Sequence, residues 1–243
     1  KGKTNMVDFE KEFEQPLGLT QKESRLATTF KVAYGWMALG LALSGVVAWY
    51  TAMSGLYQKV LAGPGFIGCI VAELALVWIL SATVQKLPVW AGYLMFAGYA
   101  ALSGLTLSVV FIAYELALVQ RVFFITAGMF GGFALYGAVT KSDLSSIGSI
   151  CGMGVWGLLI AMVVNMFVHS SGLDWIISLL GVVIFAGLTM YDTQKIRQLA
   201  AVEHTMDAAT VRKIGIMGAL SLYLDFINLF LYLLRFMGGR SRD

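Results

Sequence analysis

Three carboxylates stand inside long apolar runs: Glu73, Asp192 and Asp225. An ionisable group in hydrocarbon is expensive, so each is a candidate for proton or cation chemistry. Asp225 lies between Lys213 and Arg235 in an otherwise uncharged stretch, which places it deep. Helical positions three, four and seven apart share a face. Around Asp225 that face reads Gly218, Ser221, Asp225, Asn228 and Tyr232, against faces dominated by Leu, Ile, Phe and Met. One polar stripe on an apolar helix is expected to face a bundle interior rather than lipid. Ser221 and Asn228 then support a pore or form a structural hydrogen-bond seam. Asp192 closes the preceding run, which holds only 17 residues after Asp174. That barely spans a bilayer, so the helix is expected to run on through Tyr191, Asp192, Thr193 and Gln194. Thr189 lies one turn before Asp192 on the same face.

The two helices are antiparallel and joined by a loop of about 20 residues, so Asp192 and Asp225 are expected at the same depth. Two adjacent carboxylates in a low dielectric cannot both ionise cheaply, so the pair is expected to share a proton and to respond to pH. A divalent cation can compete with that proton, since Ca²⁺ prefers oxygen ligands. Two carboxylates are too few for a tight site, so weak, transient Ca²⁺ binding is the expectation, with no resident cofactor. Glu73, midway along its segment, reads either as a further cation ligand on a path or as a protonated, hydrogen-bonded core residue. Glu115 reads as interfacial. Asn165 and His169 read as the lining of a mouth or as a solvated helix end.

These residues require membrane helices to position them. Of 243 residues, 58% are hydrophobic and 13% charged, with mean hydropathy +0.78. Soluble domains carry about 25% charged residues, so a soluble enzyme, a disordered chain and a disulfide scaffold are excluded. Charged residues fence off seven apolar segments, near 32–53, 65–85, 88–113, 122–140, 145–168, 174–197 and 214–236. Spanning helices need about 20 apolar residues, and the runs are too long and too unpatterned for strands. The expected fold is an all-α, polytopic seven-helix membrane bundle over residues 31–238. A polar tail, 1–30, is expected to be flexible before an amphipathic lead into the first helix, with Lys1 to Asn5 as a remnant. Residues 239–243 form a short basic end.

Twelve Lys and Arg fall on the side of the tail and five on the other. The positive-inside rule then puts the N-terminus in the cytoplasm and the C-terminus outside. Net charge is +3 with no basic patch, so no nucleic-acid partner is expected. Cys69 and Cys151 sit in apolar runs and read as small buried hydrophobes. His169 and His204 have no metal-ligand spacing. Small residues four apart (Gly128 and Gly132, Ala134 and Ala138, Gly148 and Gly152) suit close helix packing and carry no functional information.

At the two aspartates the sequence resembles a known family. The run Phe185 to Gln194, FAGLTMYDTQ, followed by LYLDFINLF from Leu222 to Phe230, resembles the Bax inhibitor-1, or transmembrane Bax inhibitor motif, family. The likeness extends from about Ala33 to Gly238 and includes Tyr34-Gly35-Trp36-Met37 and Gly104-Leu105-Thr106-Leu107-Ser108. It is greatest for the bacterial inner-membrane members. The resemblance implies six helices around the last one and a pH-sensitive calcium leak gated by the Asp192–Asp225 pair. In some members an arginine of the second helix holds the pair closed; here that helix offers Glu73 and Gln85 instead. The cell-death role of eukaryotic relatives does not carry over. Some bacterial relatives interact with a membrane-bound AAA protease, which makes the acidic tail a candidate recognition tag.

Three functions compete. The first is protonation-controlled Ca²⁺ flux past Asp192, Asp225 and Glu73. The second is a non-conducting partner that modulates a membrane-bound AAA protease or another complex. The third is an intramembrane aspartyl protease of the presenilin type, which needs Gly-x-Gly-Asp where this chain has Leu222-Tyr223-Leu224-Asp225. The expectation is therefore a non-enzyme.

Overall fold

The structure, a computed structural model, describes residues 6–60, 63–202 and 207–239, with side chains for 23–59, 63–201 and 207–239. Among the described residues eight helices follow one another: α1 (Met6–Met53), α2 (Leu56–Val60), α3 (Pro64–Thr83), α4 (Val89–Ala113), α5 (Leu116–Val139), α6 (Ser145–Val168), α7 (Ser171–Val202) and α8 (Ala208–Gly238). Seven are long and apolar enough to cross a bilayer, α1 through its stretch Glu23–Met53, and α2 is a short helix in the α1–α3 connection. No strand occurs among the described residues.

Helix ends fall where local chemistry places them. Gly55, with φ of 70°, turns the chain after α1, and Pro64 opens α3, where a missing N–H costs nothing. Pro88 holds extended backbone before α4. His169 closes α6 in the left-handed region, φ 53°, its N–H bonded to the Asn165 carbonyl.

Three boundaries depart from expectation. Helix α5 starts at Leu116 rather than near 122, so Arg121 sits inside the helix, exposed. A long side chain can carry its charge away from the backbone, which is why the first cation misplaced the boundary. Of the expected 20-residue loop before α8, the part up to Val202 belongs to α7 and the part from Ala208 to α8, and 203–206 lies outside the described residues. Helix α7 runs on to Val202, and Asp207 starts α8 by accepting the Thr210 N–H at 2.9 Å. The polar stretch read as flexible is helical from Met6. The proposed remnant at 1–5, His204, and Arg240 and Arg242 of the basic end lie outside the described residues.

Helix α8 is the centre of the bundle. In its most apolar window 67% of residues are buried, against 6–39% in the other spans. It packs on α1, α4, α5 and α7, while α3 rests chiefly on α4 and α6 on α7. Small residues make the approach possible. Gly215 meets Val32, and Gly218 meets Ile196 and Ala33. Further along, Tyr223 is fully buried among the rings of Phe96 and Tyr99.

Candidate functional site: the α7–α8 seam

The polar stripe of α8 faces α7. Tyr232 packs on Gly181 and stacks on Phe185 at 5.7 Å, while Gly218 meets Ile196. This antiparallel register sets Ser221 level with Asp192 and Asp225 level with Thr189. The two aspartates are therefore offset by about one turn, not at one depth. Side chains on a helix lean toward its N-terminus. On antiparallel helices the two leans oppose, so the Asp192 and Asp225 carboxylates converge and interact electrostatically.

Asp225 is buried, 4% exposed, and its Oδ2 has no hydrogen-bond partner. Asp192 is half-buried, with the Ser221 hydroxyl within hydrogen-bonding reach and Lys195 as the nearest cation. Cys151 of α6 lies in the field of Asp225, its sulfur against Gly187. Both cysteines are free thiols. Thr189 bonds back to the Phe185 carbonyl, 2.8 Å, and Asn228 to that of Leu224, 2.8 Å, so neither side chain is committed across the seam.

The residues 191–194 meet four neighbours because successive helical positions turn by about 100°. The Tyr191 ring packs on Gly148 of α6. Asp192 faces Ser221 of α8. Thr193 Oγ1 pairs with Tyr34 Oη of α1 at 3.1 Å. Gln194 Oε1 accepts the Leu144 N–H at 2.9 Å, and its Nε2 donates to the Ser142 carbonyl at 2.8 Å, pinning the α5–α6 turn. One turn on, Arg197 donates to the carbonyls of Ala138 and Thr140 at 2.6 and 2.8 Å, capping α5. Lys213 donates to the Gln85 carbonyl at 2.7 Å, tying α8 to the end of α3. Arg197 at the α5–α6 turn and Lys213 at the α3–α4 turn thus lie at the same end of the bundle.

Glu73 belongs to a different cluster. Its Oε1 accepts from Thr106 Oγ1 at 2.7 Å. Tyr99 and Tyr223 lie within its field, and Ser103 is within reach of both hydroxyls. Tyr223 Oη pairs with Ser44 Oγ at 2.6 Å, and Ser44 also donates to the Ala100 carbonyl at 2.7 Å. The cluster joins α1, α3, α4 and α8 on the side of α8 away from α7. Asn165 is buried and structural: its Nδ2 donates to Asp174 Oδ1 at 2.8 Å and its Oδ1 accepts the Ser170 N–H. His169 is exposed. Of the small-residue pairs, Gly148 is used for close packing, whereas Gly128, Gly132 and Gly152 face open space. The closest approach is at Gly137, against the Met190 backbone.

Sequence reasoning missed Cys151, Lys195 and the Ser44–Tyr223 link. Thr106 and Tyr34 were visible as members of motifs, without an indication of what they touch. Among the described residues no three His, Cys, Asp or Glu form a metal cluster. The dyad supplies two carboxylates and a hydroxyl, short of the 6–8 oxygens that Ca²⁺ takes.

A family profile described as "Inhibitor of apoptosis-promoting Bax1" matches residues 26–242. The chain belongs to the Bax inhibitor-1 family. It is 46% identical to the inner membrane protein YbhL of Escherichia coli, over 91% of this chain and 96% of that one. A Deinococcus radiodurans relative is 44% identical over 94% of this chain and 98% of its own. A membrane protein of Streptococcus pyogenes is 33% identical over 90% and 96%. This Bax inhibitor-1 family member is a multi-pass membrane protein, with seven helices among the described residues long and apolar enough to span a bilayer.

Proposed function

We propose that this protein is a pH-sensitive calcium leak of the inner (plasma) membrane, with the Asp192–Asp225 pair as proton sensor and gate. The observation that carries the reading is a buried carboxylate, Asp225, with a free oxygen, facing a second carboxylate across the seam of the central helix. A group so placed destabilises its surroundings unless function retains it. Protons and Ca²⁺ compete for the same oxygens, so proton occupancy sets whether a cation passes. The groups facing the pair are Lys195 from α7, Ser221 from α8 and Cys151 from α6. None is a second-helix arginine, so Lys195 and the shared proton hold the closed state.

In this reading the N-terminus is cytoplasmic, the α7–α8 turn lies on the cytoplasmic face and the C-terminus is outside. Ca²⁺ is cargo rather than a resident ion, and no bond chemistry is involved. Asp225 follows the bulky Leu222-Tyr223-Leu224 where the presenilin-type motif has Gly-x-Gly, which supports a non-enzyme. The interaction reading, with a membrane-bound AAA protease as partner, rests on the tail, whose side chains before residue 23 lie outside the described residues. The test is Ca²⁺ entry into liposomes holding the purified full chain, between about pH 6 and 8. Flux above empty liposomes that varies with pH supports the leak; none at any pH refutes it.

A further inference from the structure

The α8 stripe that carries Asp225 continues past Asn228 to Tyr232 and, one turn on, to Arg235. Opposite it, α7 runs back from Thr189 through Phe185 and Gly181 to Ser178 and Asp174. At the C-terminal end of α8 the seam opens into a cavity of about 490 Å³. Ser171, Asp174, Ser178 and Arg235 supply its polar lining, which suits water. The rings of Tyr232 and Phe185 stand between this cavity and Asp225. Tyr232 is buried and packs on Gly181. Its ring stacks on Phe185 with centroids 5.7 Å apart and planes 23° from parallel. Its hydroxyl donates to Met162 Sδ of α6 at 3.8 Å.

We propose that the Tyr232–Phe185 pair is the seal that shuts Asp225 off from water and ions at this end, with the Asp174–Arg235 cavity as the mouth behind it. This inference rests on the leak reading and deepens it, by naming where the path is closed. The layering follows from the register. Gly181 level with Tyr232 sets Ser178 level with Arg235, about 4.5 Å outward, while Asp225 lies about 10 Å inward. An ion leaving the mouth must therefore pass the rings before it meets the Asp225 carboxylate. Two stacked rings offer no oxygen to replace its hydration shell, and an apolar constriction bars ions by excluding water. The Tyr232 hydroxyl does not change this, because it is engaged by Met162 of α6. Gly181 is what lets the seal fit: a Cβ there runs into the Tyr232 ring. Toward the other end the stripe passes from Asp225 straight to Ser221 and half-buried Asp192. The seal therefore stands on one side of the aspartate pair only.

The test reads water access rather than flux. In full chains carrying Cys69→Ser and Cys151→Ser, a single cysteine is placed at Ser171, in the mouth, or at Asn228, between the rings and Asp225. Sealed membrane vesicles of each orientation are treated with a charged, membrane-impermeant thiosulfonate. Ser171→Cys is expected to react fast in one orientation, which marks the side of the mouth. From that side Asn228→Cys is expected to react several-fold more slowly while Tyr232 is present, and equally slowly with Tyr232→Phe, which keeps the ring. With Tyr232→Ala its rate is expected to rise several-fold, toward that of Ser171→Cys. If Tyr232→Ala does not fold, Phe185→Ala removes the other ring and carries the same expectation. Asn228→Cys as reactive as Ser171→Cys with both rings in place, or still slow in a folded variant that lacks a ring, overturns the seal. Labelling that follows the ring without Ca²⁺ uptake at any pH supports the seal and refutes the leak alone, so the two readings fail separately.

Discussion

Asp225→Asn is expected to stabilise the protein, and the gain is expected to depend on pH. Asp225 Oδ2 is buried without a partner, and Asp225 interacts electrostatically with the Asp192 carboxylate. At about pH 8 the account has the shared proton released, and the wild type holds two repelling carboxylates. Asparagine removes a charge, keeps the shape and brings an N–H₂ group that can donate to Asp192. A hydrogen bond to a charged acceptor contributes about 1.5–3 kcal/mol, and relief of an unpaired buried group is of similar size. A net gain of about 2 kcal/mol corresponds to roughly 4–8 °C in melting temperature at this chain length. At about pH 4 the neutral Asp225 carboxyl can itself donate to Asp192, so the gain should shrink toward zero. The assay is intrinsic-fluorescence melting of wild type and Asp225→Asn in one detergent at both pH values. A variant that melts lower than wild type at about pH 8, or shifts equally at both pH values, would refute the convergence of the two carboxylates.

Other perturbations probe the frame around the pair. Gln194→Ala leaves the buried Leu144 N–H without a partner and releases the Ser142 carbonyl to water, a loss of about 1–3 kcal/mol. Faster amide exchange across 140–146 would show it, and unchanged protection would contradict the clamp. Gly137→Val forces a side chain into the Met190 backbone, where overpacking costs about 1–3 kcal/mol or more. A lowered melting temperature is expected for it, but not for Gly132→Val, whose site is open. The Asp207 carboxyl is held below the usual aspartate range by the Thr210 side chain and N–H. A group with a lowered folded-state value stabilises above its unfolded value and stops doing so as pH falls through the folded one. Exchange protection over 208–211 should therefore decline below about pH 4, and Asp207→Asn should remove that decline.

The helices were legible because bilayer thickness dictates their length and charge cannot rest in hydrocarbon. Seven apolar runs therefore became seven spans, and the stripe around Asp225 turned inward as its composition required. Boundaries marked by cations were less legible, because a long side chain can carry its charge away from the backbone, and Arg121 lies inside α5. Helical periodicity gave the faces of α7 and α8 but not their register, so the one-turn offset between Asp192 and Asp225 appeared only with Gly181 against Tyr232 and Gly218 against Ile196. Glu73 illustrates a further limit. A buried carboxylate shows in sequence as a cost, yet which hydroxyl relieves it depends on packing, and here Thr106 of α4 does. Glycines four apart suggested close contact at Gly128, Gly132 and Gly152, where the structure has open space. The contacts that matter use single glycines, Gly137 and Gly148, each met by one residue of the 190–191 pair.

The most direct test of the gate compares Ca²⁺ uptake by proteoliposomes of wild type, Asp192→Asn and Asp225→Asn across about pH 6 to 8. The account predicts uptake that changes with pH in the wild type and a flattened profile in both variants. A wild-type pH profile retained in both would contradict the assignment of Asp192 and Asp225 as the sensor.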